Sequence, residues 1–240
     1  MSLGFNVSGE IKLGEKSSQL KGSPTATVRK HVIRALYDGT GLKKIDKIVL
    51  VDTAGVERDS TTSLSYSTYI NELTITCSIT ATANYTVAKV RAYAGTDLYF
   101  ETTPSEQKSV GAGYKVDVEL KIVASMSGSV TYDSYSQPLV QVMIHALIVD
   151  ILAGAKTADR IKVERVDIWL GGTRASITPA KSLSADELSL TISGSTTDHP
   201  GGTITTIEIV GPADVLWRYE NINKDVTLGT PLNYTETTSA

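Results

Sequence analysis

The strongest constraint on this chain is that parts of it recur in the same order. NELTITCSIT (71–80) lines up with DELSLTISGS (186–195) at an offset of 115 residues, from Asn71 to Asp186. KIVLVD (47–52) faces RVDIWL (165–170), and Arg34-Ala35-Leu36 faces His145-Ala146-Leu147, so the offset drifts between 111 and 118 as turn insertions would make it. LYFE (98–101) meets VLWRYE (215–220) after a short insertion. Five features repeat: an opening apolar strand, a Gly-containing turn, a second apolar strand, an alternating central strand and a hairpin ending in aromatics. Repeated order is harder to reach by chance than repeated composition, and it points to an internal duplication.

The repeated unit reads as β-structure. LTITCSITAT (73–82), VAKVRAY (87–93), YKVDVELKIVA (114–124), IKVERVDIWL (161–170), LSLTIS (188–193) and TITTIEIV (203–210) are rich in Val, Ile, Thr and Tyr. Several alternate at period two, and Gly, Pro, Asn and Asp clusters such as 111–113 and 198–202 separate them. VRKHVIRALYDG (28–39) and VQVMIHALIVDILAG (140–154) have spacing compatible with helices, yet their many β-branched residues read as long opening strands. The expected fold is all-β: two tandem β-sandwich domains, jelly-roll-like or Ig-like, at 28–127 and 128–240, with the polar stretch 126–137 at their junction. Residues 1–27, with one short strand candidate from Val7 to Leu13, read as an N-terminal arm that stays disordered or docks on a neighbouring subunit.

Charge and composition narrow the function. The 240 residues carry 23 Lys and Arg against 26 Asp and Glu, a formal charge of -3, so nucleic acid is not an expected partner. No apolar run approaches the roughly 18–20 residues of a membrane helix, which speaks against membrane insertion. The first residues lack a basic stretch followed by an apolar one, so the expectation is cytoplasmic synthesis or a signal already removed. Cys77 is the single cysteine, which excludes an intramolecular disulfide and reads as a buried thiol in a strand.

No motif in the chain assembles a complete chemistry. Asp52-Thr53-Ala54-Gly55 resembles the metal-binding Asp-x-x-Gly of small GTPases, but the nearest phosphate-loop candidate, LGEKSS (13–18), has Glu15 where glycine is needed. It also resembles the Asp-Thr-Gly loop of dimeric aspartic proteases, with Ala54 in the place of the glycine. A strand ending in a turn is the simpler reading. His31, His145 and His199 are far apart, without the spacing of a metal site. His31 and His145 are expected in apolar strands and His199 in a turn. Asp214 with Glu220, or Asp46 with Asp52, have no sequence reason to pair. Catalytic, cofactor-binding and metal residues are therefore none, and the chain is not expected to be an enzyme. Asn6, Asn84 and Asn233 open N-glycosylation triplets of a kind that Ser/Thr-rich chains acquire by chance. The 11 Tyr, against two Phe and two Trp, suit a wet subunit interface and also carbohydrate recognition.

The run YTVAKVRAYAGTDLYFETTPSEQKSVGAGYKVDVELKIV (85–123) resembles a β-sandwich module common in tail-fibre, baseplate and other virion proteins of tailed phages and archaeal viruses. Its pieces are Val87 to Tyr93, a turn at Gly95 to Asp97, Leu98 to Glu101, Gly113, and Tyr114 to Val123. The second half offers Ile204 to Val210, Gly211 to Asp214, Val215 to Glu220 and a final strand near Val226 to Tyr234, interrupted by Gly229 and Pro231. The resemblance implies a viral structural protein: a capsid-surface, vertex, turret or tail component in the virion, partnered by itself and other coat or tail proteins. Alternatives are a cell-surface filament or surface-layer subunit outside the cell, or a fibre tip or adhesin that binds host glycans.

Overall fold

The computed structural model describes residues 1–132 and 135–240 of the chain. The fold is all-β, with large antiparallel sheets and two helices. Its first half contains β1 (Ser2–Leu13), β2 (Lys16–Pro24), helix α1 (Ala26–Asp38), β3 (Lys47–Asp52), β4 (Glu57–Thr61), β5 (Ser65–Tyr69), β6 (Glu72–Thr80), β7 (Tyr85–Ala94), β8 (Asp97–Pro104), β9 (Lys108–Val110) and β10 (Lys115–Ser127). The second contains β11 (Ser129–Tyr132), β12 (Tyr135–Val142), helix α2 (Ile144–Ala153), β13 (Arg165–Leu170), β14 (Thr173–Ile177), β15 (Ala180–Leu183), β16 (Ser189–Thr196), β17 (Gly202–Val210), β18 (Val215–Val226) and β19 (Leu232–Ser239).

The halves repeat one pairing order. In the first, strands run β2-β8-β7-β3-β4, and in the second β12-β18-β17-β13-β14. Alongside, β10-β6-β5 is matched by β19-β16-β15. The four segment matches found in the sequence fall on equivalent elements: β3 with β13, β6 with β16, β8 with β18, and α1 with α2.

Those last two are helices, not the strands expected. Val28, Val32, Ile33, Ala35 and Leu36 of α1 are buried on one stripe, as are Ile144, Leu147, Ile148, Ile151 and Leu152 of α2. A β-branched residue loses only about 0.5 kcal/mol of helix propensity, whereas burying each Val, Leu or Ile contributes roughly 1.5–3 kcal/mol, so the 3.6-residue period prevails. Gly39 and Gly154, both left-handed with φ near 80° (83° and 81°), end the two helices and offer amides to carbonyls of the last turn.

The helices interlock the halves. Helix α1 packs on β15, β16 and the short 3-10 turn Ala158–Ile161 of the second half, while α2 packs on β5, β6 and β10 of the first. The exchange is reciprocal in the backbone: Val163 N–H donates to Leu36 O at 2.9 Å, and Ile45 N–H donates to Leu152 O at 2.9 Å. Each donor lies two residues before a strand of its own half, β3 or β13. The helix-ending glycines are reciprocal too, since a Cβ on Gly39 would lie 2.9 Å from Asp159 Cα and one on Gly154 2.6 Å from Lys44 Cδ. One continuous apolar core, from Leu3 and Val7 to Leu232 and Tyr234, runs through both halves.

The N-terminal segment is no arm. β1 bonds β10 from Ser2 to Lys12 on one side and β2 from Val7 to Leu13 on the other, so it is an interior strand. Its apolar alternation starts earlier than the sequence reading placed it, at Leu3 and Phe5, and is hidden at Gly9. A Cβ there would stand 2.0 Å from Glu119 O, so close backbone approach excludes any side chain. The expected junction 126–137 includes residues 133 and 134, outside the described ones; apart from Gly128, the rest belongs to β10, β11 and β12. The last strand begins after Pro231, not near Val226, which instead ends β18.

Candidate functional site

Asp52, the most suspect residue of the sequence, terminates β3 and organises the turn into β4. Its Oδ1 accepts from Ala54 N–H at 2.8 Å and Val56 N–H at 2.9 Å, and its Oδ2 from Arg58 Nε at 2.6 Å. The Val56 amide first, then Arg58 and the Ala54 amide, hold its carboxyl below the usual range despite burial. The glycine of the motif, Gly55, takes φ 81° in this turn. The loop therefore uses its acid to close a hairpin. Asp46 accepts from Gly95 N–H at 3.0 Å, and Asp214 pairs with Arg160 at 2.7 Å while Glu220 faces Arg218. The carboxylate pairs considered from sequence are not brought together.

Two of the three histidines are likewise engaged by groups of the same chain. His31 and His145 sit on α1 and α2 rather than on strands, and burial pushes both imidazoles down. His31 Nδ1 lies 2.8 Å from Tyr99 Oη. His199 stands in a turn, where Gly201 N–H donates to its Nδ1 at 3.1 Å; its Nε2 therefore donates to Thr230 O at 2.7 Å. Cys77 is half-buried on β6, and burial pushes its thiol up to about 12, so the reactive thiolate is scarce at neutral pH.

Four further buried acids were invisible to motif reading: Asp59, Asp167, Glu208 and Glu236. Asp59 ties β4 to the β6–β7 loop and to the start of β7 by accepting from Thr82 Oγ1 at 2.7 Å and Tyr85 Oη at 2.8 Å. Burial pushes its carboxyl up, but those bonds outweigh it and leave it below the usual range. Asp167 and Glu208 are register partners on β13 and β17, each met by its own donors: Ser176 Oγ and Arg165 for Asp167, Trp169 Nε1 and Arg218 for Glu208. Glu236 lies inside the second half, where Tyr219 Oη donates at 2.9 Å, Tyr234 Oη donates closely and Trp217 Nε1 is 3.4 Å away. Burial raises this carboxyl above the usual range, and the three donors hold it back only in part. The available signal was a charged residue at an inward position of the alternating run Leu232, Tyr234, Glu236, Thr238.

Of the open grooves on the described surface, two lie on a strand face and at loop tips. One, of about 570 Å³, follows the outer face of β1, β10 and β6, where Glu10, Lys12, Asp117, Glu119, Thr76 and Ser78 line it. Lys12 pairs with Glu10 at 2.8 Å, and Ser78 Oγ donates to Asp117. The other, of about 550 Å³, opens between the loop tips and is lined by Leu13, Asn84, Ser109, Val110, Gly111 and Tyr114. Asn84 Oδ1 accepts from Ala112 N–H at 2.9 Å, and Tyr114 is 66% exposed. All three triplet asparagines are exposed, Asn6 and Asn233 on strands and Asn84 in a loop. Among the described residues no cluster of three or more His, Cys, Asp or Glu has the arrangement of a metal site, and no helix is long and apolar enough to cross a membrane. No family model, curated protein or solved structure matches the chain.

Proposed function

We propose that the chain is a structural subunit of a virion, a capsid-surface, vertex, turret or tail component that acts by contact with copies of itself and with other coat or tail proteins. The observation that carries this reading is the reciprocal packing of α1 and α2, which ties the two β-units together around a shared apolar core. Rigid presentation of several surfaces suits repeated lateral contacts. It accords with carboxylates whose oxygens are spent on their own chain, as at Asp52 and Asp59. Electron microscopy of the purified chain, with light scattering across concentration, tests it: regular multimers or a place in a particle are expected. A chain that stays monomeric and turns over nucleotides or peptides, with turnover abolished by Asp52→Asn, overturns it.

A second reading, glycan contact, is favoured by Tyr114 exposed beside a groove in which Asn84 and Ser109 stand among Leu13, Val110 and Gly111. Glycan-array binding abolished by Tyr114→Ala would support it, and no binding on the array would remove it.

A further inference from the structure

β10 and β19 are equivalent strands with different surroundings. β10 is bonded on both sides, to β6 and to β1. β19 is bonded to β16 along Leu232–Ser239, but on its other side its one ladder partner among the described residues is β1, at Ser2 opposite Ser239. The element equivalent to β1 is β11, four residues long, and among the described residues its ladder runs to β12. The parity of the open side is set by its one occupied end. Ser239 N–H donates to Met1 O at 2.9 Å and Thr237 O accepts from the Met1 amino group, so odd-numbered residues turn their backbone groups outward. Asn233 and Thr235 thus present two N–H and two C=O groups beside exposed, uncharged side chains.

Several other edges among the described residues are guarded. β4 carries Glu57, Arg58 and Asp59, β14 carries Arg174, and β15 carries Lys181, all on strands of four or five residues. β5 is also short and has α2 packed against it. β19 has eight residues and no outward charge; its one acid, Glu236, points inward and is engaged by Tyr219 and Tyr234.

We propose that the open edge of β19 from Leu232 to Glu236 accepts an extended strand from a second protein chain, antiparallel to β19 and apolar at alternate positions. The molecule itself displays that occupant, because the equivalent edge of β10 holds β1, antiparallel, with Leu3, Val7 and Ile11 buried. The inference rests on the assembly reading by naming one surface through which subunits join, and its test is separable from particle formation.

The probe is a synthetic peptide of residues 2–13, SLGFNVSGEIKL, added to the full chain and followed by fluorescence anisotropy and amide hydrogen exchange. Saturable binding with slowed exchange at Asn233 and Thr235 is expected. Thr235→Pro removes an outward N–H without touching the bonds to β16, and should weaken binding about tenfold. Should that variant misfold, the peptide carries the same test: N-methylation at alternate residues of one parity abolishes binding, and of the other parity leaves it. A peptide of equal composition with its apolar residues consecutive should not bind. Absent binding, binding insensitive to both changes, or protection appearing at β10 through displacement of β1 overturns the proposal. Failure of the peptide with multimers still seen by microscopy rejects this edge while leaving the assembly reading in place.

Discussion

β10 and β19 occupy one place in the repeated strand order, yet they solve it differently. Cys77 pairs with Val118 and Ile192 with Glu236, and Cys77 and Ile192 are themselves 115 residues apart, which makes Val118 and Glu236 counterparts. Around Val118 the inward residues are Val116, Leu120 and Ile122; around Glu236 they are Leu232, Tyr234 and Thr238. A duplicated backbone thus tolerates an apolar core in one copy and a polar one in the other, provided each buried polar group finds its partner. Tyr219, Tyr234 and Trp217 supply those partners in the second half alone.

The largest expected effect comes from removing β1, whose counterpart in the second half, β11, is only four residues long. Deleting residues 2–13 takes a ladder from each of β10 and β2, and the deleted protein should show no cooperative thermal transition by circular dichroism. Next come the reciprocal exchanges at the counterpart positions. Val118→Glu places a carboxyl in an apolar core and should cost about 4 kcal/mol in urea unfolding. Glu236→Val orphans the hydroxyls of Tyr219 and Tyr234, and should cost about 3 kcal/mol. Equal, small losses at both sites would show that the halves are interchangeable after all.

Glu236→Gln sharpens the same contrast through pH. Because burial raises the Glu236 carboxyl, the folded chain keeps a proton that the unfolded chain releases above the ordinary glutamate value of about 4.3. This contribution is complete at low pH and declines as pH rises through the folded value. Glutamine has no such decline. The variant, about 1 kcal/mol less stable at pH 4, should therefore close its deficit as unfolding is repeated towards pH 8; a deficit constant with pH would refute a raised carboxyl. A last pair of effects, of similar size, concerns the helix ends. Gly39→Ala drives a methyl against the Asp159 backbone, whereas Gly154→Ala meets the flexible Lys44 side chain. Losses of about 2 and 1 kcal/mol are expected, in that order, since both also force alanine into the left-handed region.

The strands and their repetition were legible because period two and β-branched composition are local signals. KIVLVD and RVDIWL, or the segments around Ile75 and Leu190, could be matched without knowing what they touch. The helices were misread because their β-branched residues were weighed above a spacing that only an apolar partner rewards, and that partner lies in the other half. Gly39 and Gly154, each just past the last apolar residue, were the overlooked stop signals. The strand at 2–13 was obscured by Gly9, whose missing side chain interrupts the alternation. The buried acids gave no motif because their donors arrive from distant strands, as Tyr219 and Tyr234 do for Glu236.

The exchanged helices also impose a timetable on synthesis. Ala153, the end of α2, follows Ser127, the end of β10, by 26 residues, which at 5–20 residues per second is about one to five seconds of elongation. For that interval the faces of β5, β6 and β10 lack their cover. Helix α1 waits far longer, since Thr196 at the end of β16 comes 158 residues after Asp38, about 8–30 seconds at the same pace. The nascent first half therefore cannot mature by itself on the ribosome, and its apolar surfaces are committed to a partner that has yet to be translated.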